Sequence, residues 1–218
     1  MKTLPLVCSA LVLWCCGAAA QSGAIKGRVP FMNDGQQRIA IEKYTGKISG
    51  KVSPAPATVA AVWLEAKGLK APERVPDVIV RQTNYQFSKS LITVPVGTKV
   101  FFPNDDVDHH NVFSLSRTRR FDLGRYRKGD SEVPSVNFPK AGLVNLRCEI
   151  HEHMRATIVV VDSPYYTTTS PNGAFELKNV PTGDYVLHAQ IDKRTRWKQA
   201  VQVKPGQVLK LNNLSKSR

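Results

Sequence analysis

The chain has 218 residues, with 31 Lys and Arg against 17 Asp and Glu, 42% hydrophobic residues and 22% charged ones, a globular composition that excludes disorder and fibrous repeats. Its 14 Gly and 14 Pro are scattered, and beyond the first twenty residues no apolar run approaches the ~20 needed to cross a bilayer. Collagen, coiled coil and integral membrane protein are excluded.

The N-terminus has the order of a secretory signal. Lys2 is followed by the apolar run Leu4 to Trp14, then by Ala18-Ala19-Ala20 before Gln21. Residues 1–20 are therefore expected to be removed after Ala20, placing the protein in the periplasm or outside the cell. Trp14 before Cys15 does not suit lipid attachment at that cysteine. Removal leaves 198 residues at a net charge of +13 and takes Cys8, Cys15 and Cys16 with it. Cys148 is then alone in an oxidising compartment, where it is inert by burial, paired between chains, reactive, or bound to a metal.

Residues 21–47 read as an N-terminal extension. From Asp77 onward the sequence shows short strands with turn signals and no apolar stripe of helical period. Strands are predicted at Val78 to Arg81, Leu91 to Val94, Thr98 to Phe102, Asn111 to Leu115, Ser135 to Phe138, Gly142 to Cys148 and Ala156 to Val161. The fold class is all-β, a Greek-key sandwich or barrel. In Leu143 to Cys148 the alternation turns Val144, Leu146 and Cys148 to one face, so the cysteine points inward at a strand end.

A second rhythm follows Asp162. Thr167 to Thr169 precedes the turn Ser170-Pro171-Asn172-Gly173, Phe175 and Leu177 alternate with polar residues, and Pro181-Thr182-Gly183 introduces Tyr185 to Ile191, with two more strands around Val201 and Leu209. The stretch Gly173 to Tyr185 resembles the prealbumin-like sandwich of carboxypeptidase regulatory domains. Such a sandwich opens with a Gly-x-Val strand and a second apolar strand, which appear upstream as Ile48-Ser49-Gly50-Lys51-Val52 and Val59 to Leu64. One organisation is thus a discontinuous sandwich, 48–66 plus 163–214, carrying a second β domain over 76–162. The other, equally weighted, is two consecutive domains behind an extension.

The residues that carry chemistry are Cys148-Glu149-Ile150-His151-Glu152-His153-Met154, with His109-His110-Asn111 upstream. Cys-x2-His-x2-Met is a metal-ligand spacing. A trigonal His2Cys set with a weak axial Met is the geometry of blue-copper electron-transfer sites. The second imidazole must come from elsewhere, and His110, just ahead of the strand at 111, is the natural candidate. Asn111 is placed to orient that loop and to present a backbone N–H to the thiolate.

With those residues on view, 77–162 resembles the plastocyanin/amicyanin branch of the cupredoxins. The likeness is carried by His110-Asn111-Val112, by Val94-Pro95-Val96-Gly97-Thr98-Lys99-Val100, and by a Cys148 to Met154 loop of amicyanin length. Further matches at Phe113-Ser114, Phe121-Asp122-Leu123-Gly124 and Ile158 to Asp162 look like bacterial methylamine-utilisation-type cupredoxins with a sandwich appended. The resemblance implies one type 1 copper held by His110, Cys148, His151 and Met154, with His151 as the solvent-edge route for electrons. One departure is Glu152-His153, where amicyanin-like loops carry an apolar pair; His153 is a rival to His151 and otherwise a solvent-facing residue.

His109 reads as a loop residue, and His188, out of phase with Tyr185, Leu187 and Ala189, as an exposed strand histidine. Trp63 and Trp197 read as sandwich packing. Residues 117–130 carry Arg117, Arg119, Arg120, Arg125, Arg127 and Lys128 against Asp122 and Asp130. Such a run reads as a solvated face, and it would steer an acidic redox partner, a cytochrome or dehydrogenase. Nucleic acid is a poor fit for an exported chain without a binding module.

The function expected from these residues is an exported blue-copper protein shuttling single electrons, not an enzyme. Five histidines cannot furnish a type 1 site and a trinuclear cluster together. The alternative is a copper-binding or delivery protein that releases the ion to another protein.

Overall fold

The computed structural model describes residues 21–30, 52–212 and 214. Among them there is no helix. The first strands are β1 (Ser22–Arg28) and β2 (Ala61–Glu65). Ten follow from residue 78: β3 (Val78–Ile79), β4 (Gln82–Thr83), β5 (Gln86–Phe87), β6 (Leu91–Pro95), β7 (Lys99–Phe101), β8 (His110–Ser116), β9 (Arg119–Tyr126), β10 (Ser135–Asn137), β11 (Gly142–Arg147) and β12 (Arg155–Val161). The last are β13 (Tyr166–Thr168), β14 (Ala174–Pro181), β15 (Gly183–Gln190), β16 (Arg196–Val203) and β17 (Val208–Leu211).

The all-β fold class stands. The seven strands predicted between 78 and 161 are present within one or two residues at each end. With β9 they build a five-stranded sheet, β6-β12-β11-β8-β9, facing a three-stranded one, β10-β7-β3, with β4 and β5 as a separate hairpin. Between the sheets lies a core that includes Phe87, Phe102, Phe138, Leu146, Ile158 and Met154, all fully buried. Removal from water of each such side chain favours folding by about 1.5–3 kcal/mol.

A second core is enclosed by β14-β1-β17 and β13-β2-β15-β16, and includes Ile25, Leu64, Phe175, Leu187 and Trp197. Two strands, β1 and β9, differ from expectation. The stretch Ile48 to Val52 lies outside the described residues except for Val52, which is not in a strand and packs against the core of the other sandwich. The strand paired to β14 and β17 is β1, inside the segment read as an extension. Its Gly27-Arg28-Val29 is a second copy of the Gly-x-Val pattern. Gly27 is required there because a Cβ would meet the Leu211 carbonyl oxygen at 2.8 Å and the Phe175 ring at 2.8 Å.

The other difference is β9. The basic run at 117–130, read as a solvated face, contains an eight-residue edge strand whose Phe121 and Leu123 pack on the first core while its charges point out. The charges masked the period-2 signal.

The two sandwiches meet sheet to sheet. Along β12, Ala156, Ile158 and Val160 turn into the first core, whereas Val159 and Val161 turn outward onto a small cluster with Ala61 and Leu91, flanked by Trp63 and Tyr166. Burial on both faces is why β12 reads as a continuous apolar run. The Thr93 and Thr168 hydroxyls hydrogen-bond across the junction at 2.8 Å. Trp63 thus packs at the junction, while Trp197 packs inside the second core.

Candidate metal centre

Cys148 follows directly on β11 and His110 opens β8, and these two strands are neighbours in the five-stranded sheet. Strand pairing therefore fixes the first two side chains. The loop from Cys148 to Met154 closes on itself: Met154 N–H donates to the His151 carbonyl at 2.9 Å and Cys148 N–H to the Met154 carbonyl at 3.3 Å. That closure returns His151 to the cysteine.

One histidine nitrogen from each of His110 and His151 and the Cys148 sulfur all lie within 4.8 Å of one another. The two Nδ1 atoms are 3.0 Å apart, and Cys148 Sγ is 3.8 Å from His151 Nδ1. All three residues are buried, and Met154 behind them has no exposure. Two imidazole nitrogens and a sulfur converging among buried side chains fit a thiophilic metal ion better than a hard, oxygen-seeking one.

The electrostatics of the metal-free pocket point the same way. Burial pushes the Cys148 thiol up, but hydrogen bonds from His110 and His151 and from the backbone N–H groups of Asn111 and His151 outweigh it and bring the pKa down to about 5. His110 is the complement: burial disfavours its cation, yet the thiolate and the Asp106 carboxylate raise its pKa above the ordinary value. A thiolate facing an imidazolium is a site that exchanges a proton for a metal ion.

Asn111 takes the place expected of it. Its backbone N–H reaches the thiolate, its Oδ1 accepts Glu149 N–H at 2.8 Å, and its Nδ2 donates to Asp122 at 3.0 Å. His109 is an exposed loop residue. His153 is not at the centre and not solvent-facing: it is partly buried and its Nε2–H donates to the Tyr85 carbonyl at 2.9 Å. His188, expected to be exposed, stacks on Trp63 with ring centroids 4.9 Å apart and meets Glu65 at 2.6 Å.

Two residues the sequence reading passed over complete the site. Asp106 Oδ2 accepts from His110 Nε2 at 2.8 Å, fixing the tautomer that turns Nδ1 toward the sulfur. The same carboxylate caps the β4–β5 turn, accepting Asn84 N–H at 2.6 Å and Tyr85 N–H at 2.9 Å. Its signal was the acidic run Asp105-Asp106-Val107-Asp108 just before the histidines.

Tyr85 is the second. Asn84 and Tyr85 both hold positive φ, 51° and 58°, an arrangement costly for an aromatic residue and kept here by the hydrogen bonds around it. The ring meets His110 and His151 edge to face, with centroids 5.7 and 5.1 Å away, and its hydroxyl donates to Asp108. It closes the imidazole side of the pocket.

No known family profile and no curated protein matches the chain. Among solved structures, a copper-containing nitrite reductase from Thermus scotoductus SA-01 is similar at 28% identity and a TM-score of 0.37, covering 45% of this chain and 25% of its own. Amicyanin from Paracoccus versutus (Thiobacillus versutus) is similar at 22% identity and a TM-score of 0.36, covering 46% of this chain and 97% of its own. A purple cupredoxin from Nitrosopumilus maritimus is similar at 23% identity and a TM-score of 0.34, covering 39% and 98%. The chain thus spans about a quarter of the length of that reductase, and each likeness covers less than half of this chain.

Proposed function

We propose that the protein is an exported type 1 copper protein that carries single electrons between redox partners. The observation that carries this reading is the convergence of His110, Cys148 and His151, all buried, within 4.8 Å. Copper bound there would be held by His110, Cys148, His151 and Met154 and would supply a one-electron couple.

The chain's own residues do the rest. The His110 tautomer is held by Asp106, the thiolate is stabilised by the Asn111 N–H, and Tyr85 keeps water from the imidazoles. Ligands held in this way by Asp106, Asn111 and Tyr85 favour one geometry in both oxidation states, which suits an electron carrier. Burial of all four side chains favours retention of the ion over its delivery to another protein.

The signal-like segment at 1–20 supports export, and among the described residues no helix is long and apolar enough to cross a membrane. The reading includes no enzymatic step. The test is the visible spectrum after one equivalent of Cu(II), beside a Cys148→Ser control. An intense thiolate-to-copper band in the parent and none in the control is expected; a colourless parent overturns the assignment.

A further inference from the structure

The pocket has two approaches, and they differ. On the imidazole side, His151 is covered by the Tyr85 ring and keeps 8% exposure, so the route expected through that histidine is largely shut. On the other side, a depression of about 320 Å³ opens beside Cys148, walled by Phe113, Arg147, Glu149, Glu152 and Arg155.

This depression belongs to the outer face of the five-stranded sheet. Residues directly opposite across a ladder share a face. Arg155 stands opposite Arg147, Arg147 opposite Phe113, and Phe113 opposite Asp122; one step along, Leu115 stands opposite Arg120. The second sandwich covers this face only around Leu91, Val159 and Val161. Beyond Phe113, toward the β8–β9 turn, Leu115 is 66% exposed, with Arg120 and Arg147 making no ion pair among the described residues.

Such a face is costly for a lone molecule. Like charges directly opposite, as at Arg147 and Arg155, destabilise a sheet, and a large exposed apolar side chain between arginines is the composition of an interface centre. Of the nearby carboxylates, Glu149 is paired with Arg125 at 2.6 Å, Asp122 accepts from Asn111, and Glu152 shares the wall of the depression with Arg155, whose Nε donates to the Glu152 backbone carbonyl at 2.8 Å.

We propose that this face, with Phe113 and Leu115 at its centre and Arg120, Arg147 and Arg155 around them, docks the acidic surface of a redox protein beside Cys148. The proposal rests on the electron-carrier reading above and locates its partner surface. Charge complementarity selects the occupant: the arginines attract a carboxylate-rich patch, and the two apolar side chains supply contact once it has arrived. The rival surface is formed by Val107 and Ile150, 78% and 40% exposed on the loops flanking the ligands.

The test uses metal-free, 15N-labelled protein and hexacyanochromate(III), an inert trianionic relaxation probe. Broadening at the amides of Phe113, Leu115, Arg120 and Arg147 is expected to exceed that at Arg127, Lys128, Val107 and Ile150 at least threefold. Arg147→Glu with Arg155→Glu is expected to weaken the probe's binding about tenfold or more, whereas Arg127→Glu with Lys128→Glu, an equal charge change elsewhere, alters it less than twofold. Hexaglutamate is expected to shift the same amides as the probe binds. Broadening centred on Val107 and Ile150, or equal loss in both variant pairs, overturns the proposal. Because no copper is present, the result is independent of the visible spectrum that tests the electron-carrier reading.

Discussion

Asp106 Oδ2 lies 2.8 Å from His110 Nε2, so a carboxylate on the loop before β8 holds the far side of an imidazole whose Nδ1 faces Cys148. Removing such an outer partner from a metal-ligating histidine costs about 10–100-fold in metal affinity. Asp106→Asn keeps one acceptor oxygen where the carboxylate offers two, so it cannot accept from His110 Nε2 and cap both the Asn84 and Tyr85 N–H groups. It is expected to weaken Cu(I) binding within that range in chelator competition, with Asp106→Ala falling further. Unchanged affinity in both would show that the carboxylate serves only the β4–β5 turn.

The thiolate–imidazolium pair sets a pH dependence for the metal-free protein. Cys148 has its folded pKa lowered to about 5, so its contribution to stability is present above the unfolded thiol's pKa and is lost as pH falls through 5. His110 has its folded pKa raised, so its contribution is present below the unfolded histidine's pKa of about 6.5 and is lost as pH rises through the folded value. Between about 5 and 6.5 the unfolded chain therefore binds one proton more at this pair, which contributes a climb of up to about 1.4 kcal/mol per pH unit, and His153 and His188, both lowered chiefly by burial, add to it. From there to the raised His110 value the two effects cancel and the curve is flat. Denaturant unfolding from pH 5 to 8 is expected to show this climb and a flatter stretch above it, and Cys148→Ser to make the climb shallower by the share of the thiolate.

Much of this site was legible in the sequence because strand alternation and ligand spacing are local signals. Cys148, His151 and Met154 sit in one seven-residue loop, and His110 announces itself at the start of an apolar strand. Asp106 and Tyr85 were not legible, because their roles depend on a hairpin folding back over the ligand loop, a contact made 21 residues apart. The β1 strand was missed for a different reason. Two Gly-x-Val copies, at 27–29 and 50–52, satisfy the same pattern, and the pairing of β1 with β14 and β17 is long-range and leaves no mark in the local sequence. His153 shows the converse: a ligand-type residue at a plausible position is spent on the Tyr85 carbonyl.

Tyr85 tests how the pocket is sealed. Its ring, 3% exposed, closes on both histidines, and its hydroxyl holds Asp108. In metal-free protein Tyr85→Ala is expected to speed alkylation of Cys148 by neutral iodoacetamide about tenfold or more. Tyr85→Phe, which keeps the ring and loses one hydrogen bond, is expected to stay near the parent rate and lose about 1 kcal/mol of stability. Equal rates in all three proteins would mean that the reagent enters from the depression beside Cys148 and that the ring does not limit access.

Gly27 tests the place of β1. A methyl group there would press on the Phe175 ring and on the Leu211 carbonyl, the first able to yield only by disturbing the second core and the second fixed in the β1–β17 ladder. Overpacking of this kind costs about 1–3 kcal/mol. Gly27→Ala is therefore expected to lower the free energy of unfolding by that amount in denaturant titration. Its copper spectrum should stay unchanged, since β1 touches the second core and not the ligands. A variant as stable as the parent would detach β1 from the sandwich and return residues 21–30 to the role of an extension.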